Sequence, residues 1–368
     1  MKYNIKMMEN KKDLKNFLNI LLSIFVIILM LLGINSYFAV KYLNAKSLTR
    51  WPEGAFRINA TGYEMSPSFS ASMHDGSFFV HSHQLGYRIP KFADDSIIKE
   101  GGVLSVGCSF TYGDGVEAEQ TFTYLFADSL GLPSYNYGVC SYSYANIILQ
   151  LKELKYKGIL DKLKPTIIIL GAGDWLFERS LSPFLPTGHN GPPLVAPYVI
   201  KKDNIMQITY PLGRLYISYP FNNIMRKKVH NIKEKIKLNL KDFCLMSLIT
   251  PRMLYVEFIK KNYKIPDISS FELYNFVISE IKKIILPYQM KFLILWMPAQ
   301  DEVSLDEGFK KALEQHSDVI LVDGSIAIKK YGLGKKYYVS RHPSPEVHRV
   351  YAKEMITVLR QREFNLSR

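Results

Sequence analysis

Only three cysteines occur in the 368 residues, Cys108, Cys140 and Cys244. The number is odd and none has metal-ligand spacing, which excludes a disulfide framework and a zinc site as organising features. Cys108 and Cys140 both follow predicted strands, but a bridge between them would distort the turn that carries Ser109, which argues against one. Low-complexity tracts and internal repeats are also lacking, so solenoids and disordered tails are set aside. No nucleic-acid motif accompanies the net charge of +14, which weakens a nucleic-acid partner. No cofactor or metal is called for. His81 and His83 alternate on one predicted strand face but lack further ligands, and read as ordinary strand histidines.

Charge itself is missing from residues 16–40, "NFLNILLSIFVIILMLLGINSYFAV". As a helix this segment spans about 37 Å, against about 30 Å of bilayer hydrocarbon. It is apolar on all faces, unlike a surface helix, and no small-residue cleavage site follows it. The expectation is one N-terminal transmembrane helix, retained as an anchor. Lys2, Lys6, Lys11, Lys12 and Lys15 precede it, and Lys41, Lys46 and Arg50 follow. That bias predicts a cytoplasmic tail over 1–15 and an extracytoplasmic remainder. A basic exterior domain suits an anionic neighbourhood such as lipid head groups or acidic glycans.

What is abundant is core material: 48% of residues are hydrophobic and 13% aromatic. After a lead-in over 41–100, short apolar runs alternate with helical patterns. "GGVLSVGCS" (101–109), "GLPSYNYGV" (131–139), "KPTIIILGAGD" (164–174), "MKFLILWMP" (290–298) and "SDVILVDGS" (317–325) read as strands. Residues 118–130, 143–160, 276–289 and 344–363 read as helices. Strand–helix alternation predicts an α/β domain over 101–363, a three-layer sandwich with a central parallel sheet. It is interrupted by an insertion over 180–270. Within that insertion, 197–211 reads as a hairpin around "KDN", and 222–243 as a basic amphipathic helix. The helix suits a solvated face, or a lid or surface touching a membrane or an anionic substrate. Tyr198, Tyr210, Tyr216 and Tyr219 either pack the hairpin or line a sugar-binding cleft.

Parallel sheets bind ligands beyond the carboxyl ends of their strands, and Ser109 in "SVGCSFTYGDGV" falls at such an end. Its hydroxyl needs a base to become a nucleophile. His342, in "YYVSRHPSPEVHRVYA", is the best candidate, because Pro343 and Pro345 stiffen its loop and start the last helix. His348 lies inside that helix and reads as structural.

These blocks resemble the SGNH (GDSL-type) hydrolase family, over roughly 75–180 and 290–362. Gly107, Ser109, Thr111 and Gly113 match the family's first block, with Cys108 in place of its aspartate. Gly138 in "NYGV" matches the second, and His342-Pro343 the last. "LGYRIPKF" and "GDGVEAEQTF" are similar to membrane-anchored members. The lipase G-x-S-x-G elbow is absent, since position 111 is Thr. The resemblance implies a flavodoxin-like SGNH fold. It also implies a serine ester hydrolase or O-acyl transferase acting on an acylated glycan or lipid-like ester, with Ser109 as nucleophile and His342 as base. Backbone N–H groups of Ser109 and Gly138 would face the oxyanion.

Two departures stand out. Gly173, in "GAGDW", occupies the place of the family's oxyanion-hole Asn. Ser340 and Val339 occupy the place of its Asp before the histidine. Asp174, Asp301 and Asp323 follow predicted strands and are candidates to orient His342, Asp174 first. The rival expectation is a degenerate site that only binds, within a surface-polysaccharide assembly.

Overall fold

The computed structural model describes residues 16–30, 51–185 apart from 53, 60, 61 and 74, then 194–209, 263–299, 305–334, 337–339 and 341–366. Tyr210, Tyr216, Tyr219, Cys244, Asp301, Ser340, the basic helix over 222–243 and the second part of the expected anchor, 31–40, lie outside them. Residues 16–30 are helical and exposed throughout. Among the described residues no helix is long and apolar enough to cross a membrane.

Five short strands form the centre: β1 (Val103–Val106), β2 (Ser134–Asn136), β3 (Ile167–Ala172), β4 (Lys291–Trp296) and β5 (Ile320–Asp323). Their spatial order is β2-β1-β3-β4-β5, and every pair is parallel. All of β1 and β3 is buried, as expected of runs covered by helices on both sides. This is the doubly wound order, whose connections reverse direction between β1 and β3 and open a crevice there at the carboxyl ends.

The helices are α1 (Ser109–Tyr112), α2 (Phe122–Ser129), α3 (Tyr144–Tyr156), α4 (Ile159–Leu163), α5 (Trp175–Ser180), α6 (Ser270–Ile285), α7 (Glu307–Glu314), α8 (Gly324–Lys330) and α9 (Pro345–Leu366). Apart from the single turn α1, they fall into two packed groups: α2, α8 and α9 on one side, and α3 through α7 on the other. Local chemistry sets their starts. Ser143 with Asn146 and Ser269 with Glu272 form reciprocal capping boxes, and Asp306 accepts the Phe309 N–H; each satisfies N–H groups that a helix start leaves open. Tyr144, Tyr274, Trp296 and Phe309 pack ring against ring between α3, α6, β4 and α7.

The lead-in packs as part of the same body. Trp51, Phe56, Tyr63, Met65 and Phe78 are buried in the common core. Hydrogen bonds from the Tyr63 hydroxyl to the Cys140 carbonyl and from the Tyr142 hydroxyl to the Tyr63 carbonyl tie the two together. Arg88 bridges antiparallel to Asn136, so the lead-in also covers part of the exposed edge of β2. In the insertion, Tyr198–Lys202 pairs antiparallel with Ile205–Thr209. Asp203 and Asn204, both with positive φ (51° and 59°), make the two-residue turn that such twisted hairpins favour.

Candidate active site

Beyond β1, Gly107 and Cys108 carry the chain over the rim of the sheet, and Ser109 begins the single turn α1. That turn rests on glycines from three neighbouring strands. A Cβ at Gly107 would stand 2.0 Å from Thr111 Oγ1, one at Gly171 1.9 Å from the same atom, and one at Gly138 2.3 Å from the Tyr112 nitrogen. No side chain fits under the turn at these places. Gly113 then takes the left-handed conformation (φ 80°, ψ 51°), which glycine adopts at little cost. Its N–H and that of Asp114 both donate to the Ser109 carbonyl at 3.0 Å. The chain folds back on itself and returns Asp114 beside the serine.

His342 arrives from the other end of the sequence. It sits in a two-residue ladder, Tyr338–Val339 against His342–Pro343, with Arg341 at a positive φ of 69°. The Ser344 N–H donates to the Tyr337 carbonyl at 2.9 Å and closes this ladder just before α9. His342 Nε2 lies 2.9 Å from Ser109 Oγ, across 233 positions of sequence. Heavy-atom separations of about 2.6–3.2 Å are the working range for proton transfer between a nucleophile and its base. For the hydroxyl to donate, the neutral ring must carry its hydrogen on Nδ1. The Phe110 ring meets the imidazole edge-on at 5.4 Å.

The carboxylate set against that imidazole is Asp114, which the sequence reading missed. Its Oδ2 is 3.7 Å from Nε2, and its side chain is almost buried. That distance is too long for a hydrogen bond and suits an ion pair with a protonated ring. Asp174, the expected orienting acid, is used otherwise: it is the N-cap of α5, and its Oδ1 accepts the Trp175 N–H at 2.9 Å. Asp323 is likewise a cap, accepting from the N–H and hydroxyl of Ser325. Short polar side chains after strands are natural helix caps, a role that the strand-end argument does not distinguish from catalysis. The signal for Asp114 was the Gly-Asp-Gly run five residues after the serine, where a left-handed glycine reverses the chain.

The expected oxyanion donors are differently placed. Ser109 N–H belongs to the first turn of α1, whose leading N–H groups have no intrahelical acceptor. Gly138 N–H donates to Asn136 Oδ1 at 2.9 Å, and Asn136 Nδ2 donates to the Thr111 carbonyl at 2.8 Å. Gly173 N–H donates to the Tyr144 hydroxyl at 3.2 Å. A Cβ at Gly173 would fall 2.5–2.8 Å from the six-membered ring of Trp175, so the indole covers this glycine. Trp175 in turn packs on Phe110 at 4.5 Å. The N–H groups of Gly138 and Gly173, both expected at the oxyanion site, thus have internal acceptors.

Cys108 is buried, and neither it nor Cys140 forms a disulfide. His348 is fully buried. Its Nδ1 accepts the Phe122 N–H at 3.2 Å, and its ring stacks on Phe122. Burial, followed by the nearby positive charges of Arg88 and His342, pushes its pKa down to about 3, so it is neutral and structural at neutral pH. His81 Nδ1 and His83 Nε2 meet the carbonyls of Pro90 and Ile97.

No family model and no curated protein matches the chain. Among solved structures, it is similar to a G-D-S-L family protein from Desulfitobacterium hafniense, with 12% identity and a TM-score of 0.34, over 70% of this chain and 98% of that one. It is also similar to an acetyl xylan esterase from the rumen bacterium Butyrivibrio proteoclasticus, with 10% identity and a TM-score of 0.35, over 73% of this chain and 64% of that one. Both likenesses are distant, and neither carries fold or function across.

Proposed function

We propose that this protein is a serine ester hydrolase or O-acyl transferase, with Ser109 as nucleophile and His342 as general base and acid. The observation that carries the reading is the 2.9 Å contact between Ser109 Oγ and His342 Nε2, at the carboxyl end of β1. Ser109 Oγ attacks an ester carbonyl carbon while its proton passes to Nε2. The tetrahedral intermediate collapses, and the same nitrogen returns the proton to the departing alkoxide. Water or a sugar hydroxyl then takes the acyl group. Ser109 N–H is the donor best placed for the oxyanion, and the helical turn behind it is aligned to favour negative charge. We further propose a substrate at a membrane surface, an acylated glycan or lipid-like ester, met by a domain held on the extracytoplasmic side by residues 16–40. The uncharged run, the lysine bias and the net charge of +14 support that placement.

The test is hydrolysis of an activated acetyl ester by the full chain, with fluorophosphonate labelling alongside. Ser109→Ala and His342→Ala should each lose at least about 10³-fold in rate, and Ser109→Ala should not be labelled. Unchanged hydrolysis in Ser109→Ala rejects the assignment.

A second reading, a degenerate binding component of a surface-polysaccharide assembly, is favoured by one observation: the Gly138 and Gly173 N–H groups already have internal acceptors. Absence of labelling together with retained glycan binding would select it.

A further inference from the structure

Arg88 is a buried cation wrapped in carbonyl oxygens. The residue is 2% exposed. Its Nη1 donates to the Tyr112 and Gly113 carbonyls at 2.7 and 2.9 Å, and its Nη2 to the Val116 carbonyl at 2.6 Å and the Phe79 carbonyl at 3.4 Å. The guanidinium carbon lies 4.5 Å from the Tyr112 ring centre and 5.0 Å from that of Phe78. Its own N–H donates to the Asn136 carbonyl at 2.9 Å. The residue is therefore fixed to the end of β2 and reaches across to the loop that follows α1. Its carbonyl contacts at Gly113 and Val116 bracket Asp114.

A buried guanidinium is costly unless its donors are satisfied. Here the two terminal nitrogens are satisfied by backbone oxygens, three of them in the loop beside the serine, while Nε is buried without a partner. Such a clamp leaves that loop little freedom, and Asp114 is the charged side chain it sets in place. The loop cannot shift without breaking several charge-assisted bonds at once.

We propose that Asp114, positioned by the Arg88 clamp, is the carboxylate partner of His342, acting at Nε2 rather than at Nδ1. The inference rests on the reading of Ser109 and His342 as a reacting pair. As Ser109 Oγ bonds to the carbonyl carbon, its proton moves to Nε2 and the ring becomes a cation. Asp114 stays ionised and stabilises that cation from 3.7 Å. When the intermediate collapses, Nε2 gives the proton to the leaving alkoxide, and the attraction relaxes. Asp114 accepts no proton and does not set the tautomer. Its removal should therefore cost less than the ~10⁴-fold loss seen when a Nδ1-bound acid is removed. Ser109 and Asp114 approach Nε2 of the imidazole, and the Phe110 ring meets it edge-on. His348 interacts with His342 at longer range, and Arg341 precedes His342 in the chain.

The experiment is a nuclear magnetic resonance titration of the full chain carrying carbon-13 histidine, with the His342 signal identified by its loss in His342→Asn. Fluorophosphonate labelling rates are measured on the same samples. Asp114→Asn should move the His342 midpoint to lower pH, because a neighbouring negative charge favours the cation. It should also slow labelling roughly tenfold to a hundredfold, below the full loss of a directly bonded triad acid. Arg88→Lys should move both readouts the same way, and the double variant should go no further than Asp114→Asn alone. A His342 midpoint unchanged in Asp114→Asn overturns the proposal. An additive double variant overturns the clamp. If Arg88→Lys does not fold, Asp114→Asn alone decides. Wild type that is never labelled but whose midpoint still moves in Asp114→Asn removes the hydrolase reading and leaves the pairing standing.

Discussion

Two loops leave neighbouring parallel strands at the same rim of the sheet, and they are built in opposite ways. The loop after β1 is held from every side: three glycines seat it, Asn136 bonds the Thr111 carbonyl, and Arg88 grips the carbonyls from Tyr112 to Val116. The loop after β3 has one cap, Asp174, the Tyr144 hydroxyl bonded to the backbone of Gly173, and one large side chain, Trp175, lying over that glycine. The first arrangement brings a hydroxyl and a carboxylate to 2.9 and 3.7 Å from one imidazole nitrogen. The second places an apolar wall, the Trp175 ring, over Gly173. The chain thus concentrates its order on the turn that brings Ser109 to His342, and under the proposed reading the stabilisation of developing charge falls to backbone groups near Ser109. Preorganisation of that kind is worth much of a catalytic barrier only where donors point at the developing charge.

The sharpest way to break this comparison is to add a methyl group to each loop's seat. A Cβ at Gly138 meets backbone, the Tyr112 nitrogen at 2.3 Å and the Thr111 carbonyl carbon at 2.7 Å. Gly138→Ala should therefore destabilise by about 3 kcal/mol, at the upper end of overpacking costs, and displace the serine turn. At Gly173 the obstacle is an indole that can swing outward, so Gly173→Ala should cost less than about 1 kcal/mol. Urea denaturation of the two variants measures the difference. Equal losses would show that the second loop is as rigid as the first.

A smaller effect tests the wall itself. Gly173→Asn alone should give no gain in ester hydrolysis, because the Trp175 ring occupies the space. Combined with Trp175→Ala, the new amide has room to act as a donor. Hydrolysis should then exceed that of Trp175→Ala by up to ~10², the scale of one oxyanion-hole donor. Steady-state rates on an activated acetyl ester decide it. A double variant no faster than Trp175→Ala would place the wall away from the oxyanion.

The contrast also explains what was legible beforehand. Buried runs such as "TIIILG" fixed the strands, because a strand covered on both faces has to be apolar throughout. Ser109 and His342 were found through glycine and proline, residues whose backbone limits reveal turns without any knowledge of the fold. The place of Asp114 beside His342 was not legible, because it follows from a reversal of the chain at Gly113 and not from a strand end. Asp174 and Asp323 do stand at strand ends, and both cap helices. Arg88 was invisible as a functional residue, since "LGYRIPKF" says nothing of four carbonyls converging from Phe79 and the stretch 112–116.

The mildest prediction concerns the floor beneath the first loop, where His348 lies near Arg88 and His342. Its folded pKa is about 3, against about 6.5 for an unperturbed histidine. The folded state therefore requires the neutral ring, while the unfolded chain takes up a proton below about pH 6.5. The stabilising contribution is fully present above that value and is lost as pH falls towards about 3, by up to about 1.4 kcal/mol per unit. His348→Asn keeps an oxygen near the position that accepts the Phe122 N–H but cannot titrate. It should be somewhat less stable than wild type at pH 7, through lost packing on Phe122, and should lose less stability between pH 6 and 4. His83 and His316 are also shifted down by burial and give both proteins the same background slope, so the difference between the two curves isolates His348. Parallel curves would mean that water reaches this histidine, and that the floor of the first loop is no tighter than the second loop.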